Sequence, residues 1–146
     1  EDAGAQTEFV DLREWDLPVF DPDNRERGDA SALRRLVGNA DAVLLGTPVY
    51  HSMVSSALKN AFDYLGRDEF EKTTVGLLAT AGGCSYTPTL EHLRTGIQMV
   101  HGWTLPYEVG VRNASEAFDG AGEFVNPDLK AQVEKLGQMT AEYAFI

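Results

Sequence analysis

The chain has 146 residues, 43% of them apolar, and carries 23 acidic against 12 basic side chains for a formal charge of −11. That apolar share is enough for a core and too high for a disordered chain, and the length suits one domain. So acidic a chain lacks the basic surface that nonspecific nucleic-acid binding needs, and no apolar run approaches the roughly 20 residues that cross a bilayer.

In chain order, Thr7, Glu8, Phe9, Val10 and Asp11 read as a short strand. Residues 12–23 read as a loop, because Pro18 and Pro22 interrupt regular structure. Within it, Leu17, Val19 and Phe20 form an apolar patch expected to pack back on the domain. Asp29 or Ser31 caps a helix with Leu33, Leu36 and Val37 on one face, and Gly38 ends it. Ala42, Val43, Leu44 and Leu45 make the continuous apolar run of a buried parallel strand over 41–46. The loop Gly46-Thr47-Pro48-Val49-Tyr50-His51-Ser52-Met53 follows. Met53, Val54, Ala57, Leu58, Ala61, Phe62 and Leu65 then share one helical stripe, so a helix is predicted to start directly after the loop. Lys59 and Asp63 lie one turn apart on its polar face, able to pair.

The next strand covers 72–80, with Val75, Gly76, Leu77, Leu78 and Ala79 at its centre, and opens into Ala81-Gly82-Gly83-Cys84-Ser85-Tyr86. Thr87 is predicted to cap a helix with Pro88 at its first position and Leu90, Leu93, Ile97 and Val100 buried; Gly102 follows its end. A strand over 103–111 contains Pro106 and is placed at a sheet edge. Residues 113–124 form a polar loop, and Asn126-Pro127-Asp128 begins a last helix with Leu129, Val133, Leu136 and Tyr143 inward. Four strands alternating with four helices make a parallel α/β sheet.

Open α/β sheets bind ligands outside the carboxyl ends of their strands. Two loops here occupy such positions. In the first, Pro48 fixes a bend, Tyr50 offers an aromatic face and a hydroxyl, and His51 and Ser52 offer donors. In the second, Gly82 and Gly83 let main chain approach a planar ligand. The helix start behind the first loop adds outward N–H groups and a positive dipole end, suited to an anionic or electron-rich planar ligand. Taken alone, the first loop also reads as a plain turn with Tyr50 as a core plug and His51 on the surface, and the second as a flexible turn. Other chemistries find less support. His51, His92 and His101 lack metal-ligand spacing, and the serines lack a Gly-x-Ser-x-Gly elbow. Cys84 is the single cysteine, which excludes an internal disulfide and makes a reducing cytoplasm the default location. The acidic charge fits either an ordinary cytosolic protein or adaptation to high salt.

Three stretches together resemble the flavodoxin-like NADPH-dependent FMN reductase family. They are Asp11-Leu12-Arg13 with Leu17-Pro18; the run 40–52 leading into Leu58-Lys59-Asn60-Ala61-Phe62-Asp63-Tyr64-Leu65; and the run 75–83 ending in Gly82-Gly83. The second is the most specific. The resemblance implies a doubly wound parallel sheet of strand order 2-1-3-4-5, a single flavodoxin-like domain over 1–146, and FMN held by Thr47, Pro48, Val49, Tyr50, His51, Ser52, Ala81, Gly82 and Gly83. No side chain need act as an obligate acid or base. It implies hydride transfer from NADPH or NADH to the flavin and on to free flavin, a quinone or a similar small acceptor. It also implies a homodimer or homotetramer, with no nucleic-acid or membrane partner. A flavodoxin-type FMN electron carrier serving a protein partner is the alternative. The family's first strand and phosphate loop have no counterpart in the chain, which enters at what resembles the second strand. Because strand one is central in that order, an upstream segment of about 30 residues is expected.

Overall fold

The computed structural model describes residues 3–144. Three strands, β1 (Ala42–Pro48), β2 (Thr74–Ala81) and β3 (Trp103–Arg112), form a parallel sheet in the order β1-β2-β3. Among the described residues, helices α1 (Ala30–Gly38), α2 (Ser56–Asp63), α3 (Arg67–Phe70), α4 (Thr87–Met99) and α5 (Pro127–Glu142) complete the element order, with a 3-10 turn at Ala114–Glu116.

Helices pack on both faces of the sheet, as its apolar runs require. On one face, Val75, Leu77, Ala79 and Ala81 of β2 pack with Leu58 of α2, Phe70 of α3 and Leu90, Leu93 and Ile97 of α4. On the other, Leu105, Val109 and Val111 of β3 pack with Leu136 of α5. Arg94 of α4 fastens β3 from the first face: its Nη1 donates to Thr104 Oγ1 at 3.0 Å and to the Leu105 carbonyl at 3.1 Å, and its Nη2 pairs with Glu108 at 2.6 Å. Pro106 sits in β3 where the register with β2 shifts between Val75 and Leu77, and β3 is an edge strand as its proline demands.

Several expectations are corrected. Residues 7–11 form no strand, and Phe9 is 91% exposed. A strand is held by its neighbours, and among the described residues no sheet edge reaches this segment. Among the described residues three strands are therefore present rather than four. The helix after the first loop begins at Ser56, because Met53 closes a turn with Tyr50 and Ser55 supplies the cap, its Oγ accepting from Leu58 N at 3.2 Å. Thr87 is the first residue of α4 and Tyr86 holds the cap position, without a side-chain cap bond. The four-residue α3 was not foreseen: it is too short for a periodic signal. Tyr143 and Val19 stay largely exposed, whereas Phe20 does pack back, edge-on to the Tyr64 ring at 5.2 Å. The predicted Lys59–Asp63 pair forms at 2.5 Å, and Asn126 caps α5 through its side chain.

At the end of the 7–11 segment, the Asp11 carboxylate accepts from Arg13 Nε at 2.9 and 3.0 Å and from the Arg13 main-chain N at 3.0 Å. These bonds favour the charged form and hold the Asp11 carboxyl down at about 2. The pair's contribution is complete above the ordinary carboxylate value of about 4 and is lost as pH falls through about 2. A carboxyl-carbon NMR titration should give Asp11 a midpoint near 2 in the native protein, moving up toward about 4 in Arg13→Ala.

Candidate functional site

The carboxyl ends of β1 and β2 lie side by side, with Pro48 opposite Thr80 in the parallel register. Val49 N donates to the Thr80 carbonyl at 2.8 Å, extending the pairing one residue past β1. The two predicted loops therefore emerge from adjacent strands and share one rim.

The first loop is a tight two-residue turn. Tyr50 N donates to the Met53 carbonyl at 3.0 Å and Met53 N to the Tyr50 carbonyl at 2.9 Å. His51 and Ser52 at its tip have φ of 52° and 62°. Positive φ at both central positions is the type I′ arrangement, which normally selects Asn-Gly. Here two residues with side chains hold it, storing roughly 1 kcal/mol or more of backbone strain. Replacing His51-Ser52 by Asn-Gly should raise the stability by about 1 kcal/mol in urea unfolding, with the turn intact. The same swap removes both tip side chains, so any weakening of ligand binding it causes reports their contribution.

Thr47 anchors this turn from below. Buried, it accepts from Ser55 N at 3.0 Å and donates to the Pro48 carbonyl at 3.0 Å. Its hydroxyl thus ties the strand end to the start of α2. Val49 is likewise buried, in the core beneath the loop. Tyr50, 59% exposed, His51 and Ser52 face solvent. Pro48 is half-buried as the last residue of β1.

In the second loop, Ala81 ends β2 with its side chain buried, while Gly82, Gly83 and Cys84 are exposed. A Cβ on Gly82 would meet nothing within 4 Å, so the space above this main chain is open. The rim thus offers an exposed tyrosine on one side and bare peptide on the other. Of the nine predicted residues, Thr47, Val49 and Ala81 are buried, Pro48 is half-buried, and Tyr50, His51, Ser52, Gly82 and Gly83 are exposed. Two clefts lie apart from the rim. One is lined by Glu14, Trp15, Asp29 and Ala32; the other, of about 310 Å³, is lined by Gln98, His101, Gly102, Trp103 and Thr104. Among the described residues no group of His, Cys, Asp or Glu is arranged to hold a metal.

The residues that support α2 were missed by sequence reasoning. Asn60 Nδ2 donates to the Leu17 and Pro18 carbonyls, both at 3.0 Å, and its Oδ1 accepts from Phe20 N at 2.9 Å. The Tyr64 hydroxyl donates to the Pro18 carbonyl at 2.8 Å. The available signal was an Asn and a Tyr four residues apart, on one face of a helix otherwise read as polar there.

The model of the family described as NADPH-dependent FMN reductase matches residues 1–116. The chain belongs to that family. An FMN-dependent NADPH-azoreductase of Staphylococcus aureus (strain USA300) is 34% identical over 94 residues, 64% of this chain and 50% of that protein. The match thus spans half the length of that relative. Among solved structures, the flavoenzyme NAD(P)H:(acceptor) oxidoreductase FerB from Paracoccus denitrificans superposes with a TM-score of 0.68 at 18% identity, over 88% of this chain and 74% of that one. An NADH:FMN oxidoreductase in its apo form gives 0.64 at 21% identity, over 92% and 68%. At these identities the two structures show a shared α/β fold. Within this FMN reductase family member, both loops of the rim fall inside the matched residues. No helix among the described residues is long and apolar enough to cross a membrane.

Proposed function

We propose that this family member is an FMN-dependent oxidoreductase that takes hydride from NADPH or NADH and delivers it to a small acceptor such as free flavin, a quinone or an azo compound. The observation that carries the reading is the shared rim: Tyr50-His51-Ser52 and Gly82-Gly83 stand at the ends of paired strands, with open space over Gly82. Bare peptide at Gly82 and Gly83 leaves room for the edge of a planar ring, to which main-chain N–H groups would donate. Bound FMN supplies the hydride-accepting chemistry; the protein supplies position and electrostatics. Thr47 and Ser55 fix the level of the Tyr50 turn through their hydrogen bonds, and the buried Val49 keeps water from beneath it. The exposed Tyr50 ring is free to cover one side of a stacked ligand, and His51 and Ser52 are placed to donate hydrogen bonds at its edge.

The same reading completes the sheet in the order 2-1-3-4-5, with β1, β2 and β3 as its last three strands in one flavodoxin-like domain. Two features support it. The outer edge of β1 has no strand beside it among the described residues, and Leu44, in the middle of β1, is 46% exposed. A strand paired to β1 on one side and to residues 7–11 on the other would cover both. A cytoplasmic homodimer or homotetramer completes the proposal, and gel filtration tests its size.

The test is a titration of the intact protein with FMN followed by steady-state NADPH oxidation with added FMN or quinone. The expected result is a yellow protein whose absorbance bleaches on NADPH and which turns over without any partner protein. Tight FMN binding without turnover would move the assignment to an electron carrier. Failure to bind FMN would end the flavin reading.

A further inference from the structure

The exposed peptide of Gly82 and Gly83 is suspended between β2 and α4, and what braces it comes from β3. Gly110 lies two residues before the end of β3. A Cβ there would stand 2.2 Å from Cδ2 and Cε2 of Tyr86 and 2.3 Å from its Cγ. The tyrosine ring therefore lies directly on the bare backbone of β3. Tyr86 both ends the second loop and starts α4: its carbonyl accepts from Thr89 N and Leu90 N, each at 3.1 Å. Asn113, with φ of 51°, follows the end of β3 and sets its Oδ1 beside Gly83, 3.6 Å from where a Cβ there would stand. The Arg94 bonds to Thr104, Leu105 and Glu108 keep β3 from sliding against α4. The loop is thus backed on its β3 side and open above Gly82.

We infer that Tyr86 seated on Gly110 is a positioning contact that sets the height of the ligand-facing main chain at 82–85. The inference rests on the flavin reading of the rim. Tyr86 touches β3 and not the reacting atoms. A methyl group at 110 falls more than 1 Å short of the 3.4 Å at which ordinary contact begins, so the ring must leave this seat, by a new rotamer or by a shift of the loop, and the contact is lost either way. Displacements of about 1 Å cost up to about a hundredfold where geometry governs.

The experiment compares Gly110→Ala, Tyr86→Ala, the double variant and Tyr86→Phe in the intact protein. The readouts are FMN affinity by flavin fluorescence, the visible circular dichroism of bound FMN, and amide hydrogen exchange at 82–86 without FMN. Gly110→Ala and Tyr86→Ala should each weaken FMN binding roughly tenfold or more and alter the flavin dichroism. Tyr86→Phe, which keeps the ring, should stay within about twofold. The double variant should bind no worse than Tyr86→Ala alone, since the clash disappears with the ring. Wild-type affinity in Tyr86→Ala, or strictly additive losses in the double variant, would overturn the inference. If Gly110→Ala does not fold, Tyr86→Ala decides alone, because it only removes atoms. If the wild-type protein binds no FMN, the flavin reading falls and exchange decides the positioning: faster exchange at 82–86 in Tyr86→Ala supports it, and unchanged exchange refutes it.

Discussion

Gly28→Ala is expected to destabilise the protein by about 3 kcal/mol, the sum of backbone strain and overpacking. Gly28 has a φ of 53°, and a Cβ there would stand 2.0 Å from the Asp16 carbonyl oxygen and 3.0 Å from Pro18 Cδ. The obstacle is main chain, so no rotamer change relieves it. The neighbouring bonds show why the backbone cannot retreat. Asp29 N donates to the Asp16 carbonyl at 2.7 Å, and Asp16 N donates to Asp29 Oδ2 at 2.8 Å. This reciprocal pair uses the Asp29 carboxylate, which is why α1 has no side-chain cap bond despite an aspartate in the cap position. Urea unfolding should show a lower midpoint with an unchanged slope, and thermal unfolding a drop of about 10 °C. Gly137→Ala is the control: this α5 glycine has open space around its would-be Cβ, and the substitution should stabilise by about 1 kcal/mol. A Gly28→Ala protein as stable as the wild type would refute the contact between 16 and 28.

Asn60→Ala should cost about 3 kcal/mol, close to 1 for each of its three hydrogen bonds. It leaves the Leu17 carbonyl and Phe20 N without this side-chain partner, and the Pro18 carbonyl with the Tyr64 hydroxyl alone, in a half-buried setting. Tyr64→Phe removes a single bond to the Pro18 carbonyl and should cost about 1 kcal/mol. Both side chains serve the Pro18 carbonyl, so the two substitutions should be non-additive in a double-mutant cycle. The consequence reaches the rim. Asn60 holds the 17–20 segment against α2, and α2 is capped by Ser55, which is bonded to Thr47 beneath the Tyr50 turn. Loss of Asn60 should therefore also accelerate hydrogen exchange around 55–60. Unchanged exchange there, with lowered stability, would confine the role of Asn60 to the 17–20 segment.

These contacts give a physical reason for the motifs that carried the family resemblance. Leu17-Pro18 and Leu58-Lys59-Asn60 are far apart in sequence, yet Asn60 is bonded to the first pair directly. The asparagine is a structural clasp between α2 and the 17–20 segment.

The chain's own pattern determined the α/β alternation, because strands buried on both faces must be continuously apolar and helices between them must carry a one-sided stripe. It determined α5's start at Asn126-Pro127 and β3's edge position through Pro106, since a missing N–H and a capping carboxamide act locally. It also located the two loops, because strand ends are where the apolar runs stop. Only the tertiary structure decided the rest. Whether 7–11 pairs depends on a neighbour at long range. The I′ turn at His51-Ser52 follows from paired bonds between Tyr50 and Met53 that its sequence does not favour. Thr47 turns its hydroxyl inward because Ser55 N needs it. Tyr86 finds its seat on Gly110 because β3 packs beside α4, a contact across more than twenty residues that no local spacing encodes. Local geometry sets which segments become strands and helices; contacts between distant segments set which surfaces remain to bind.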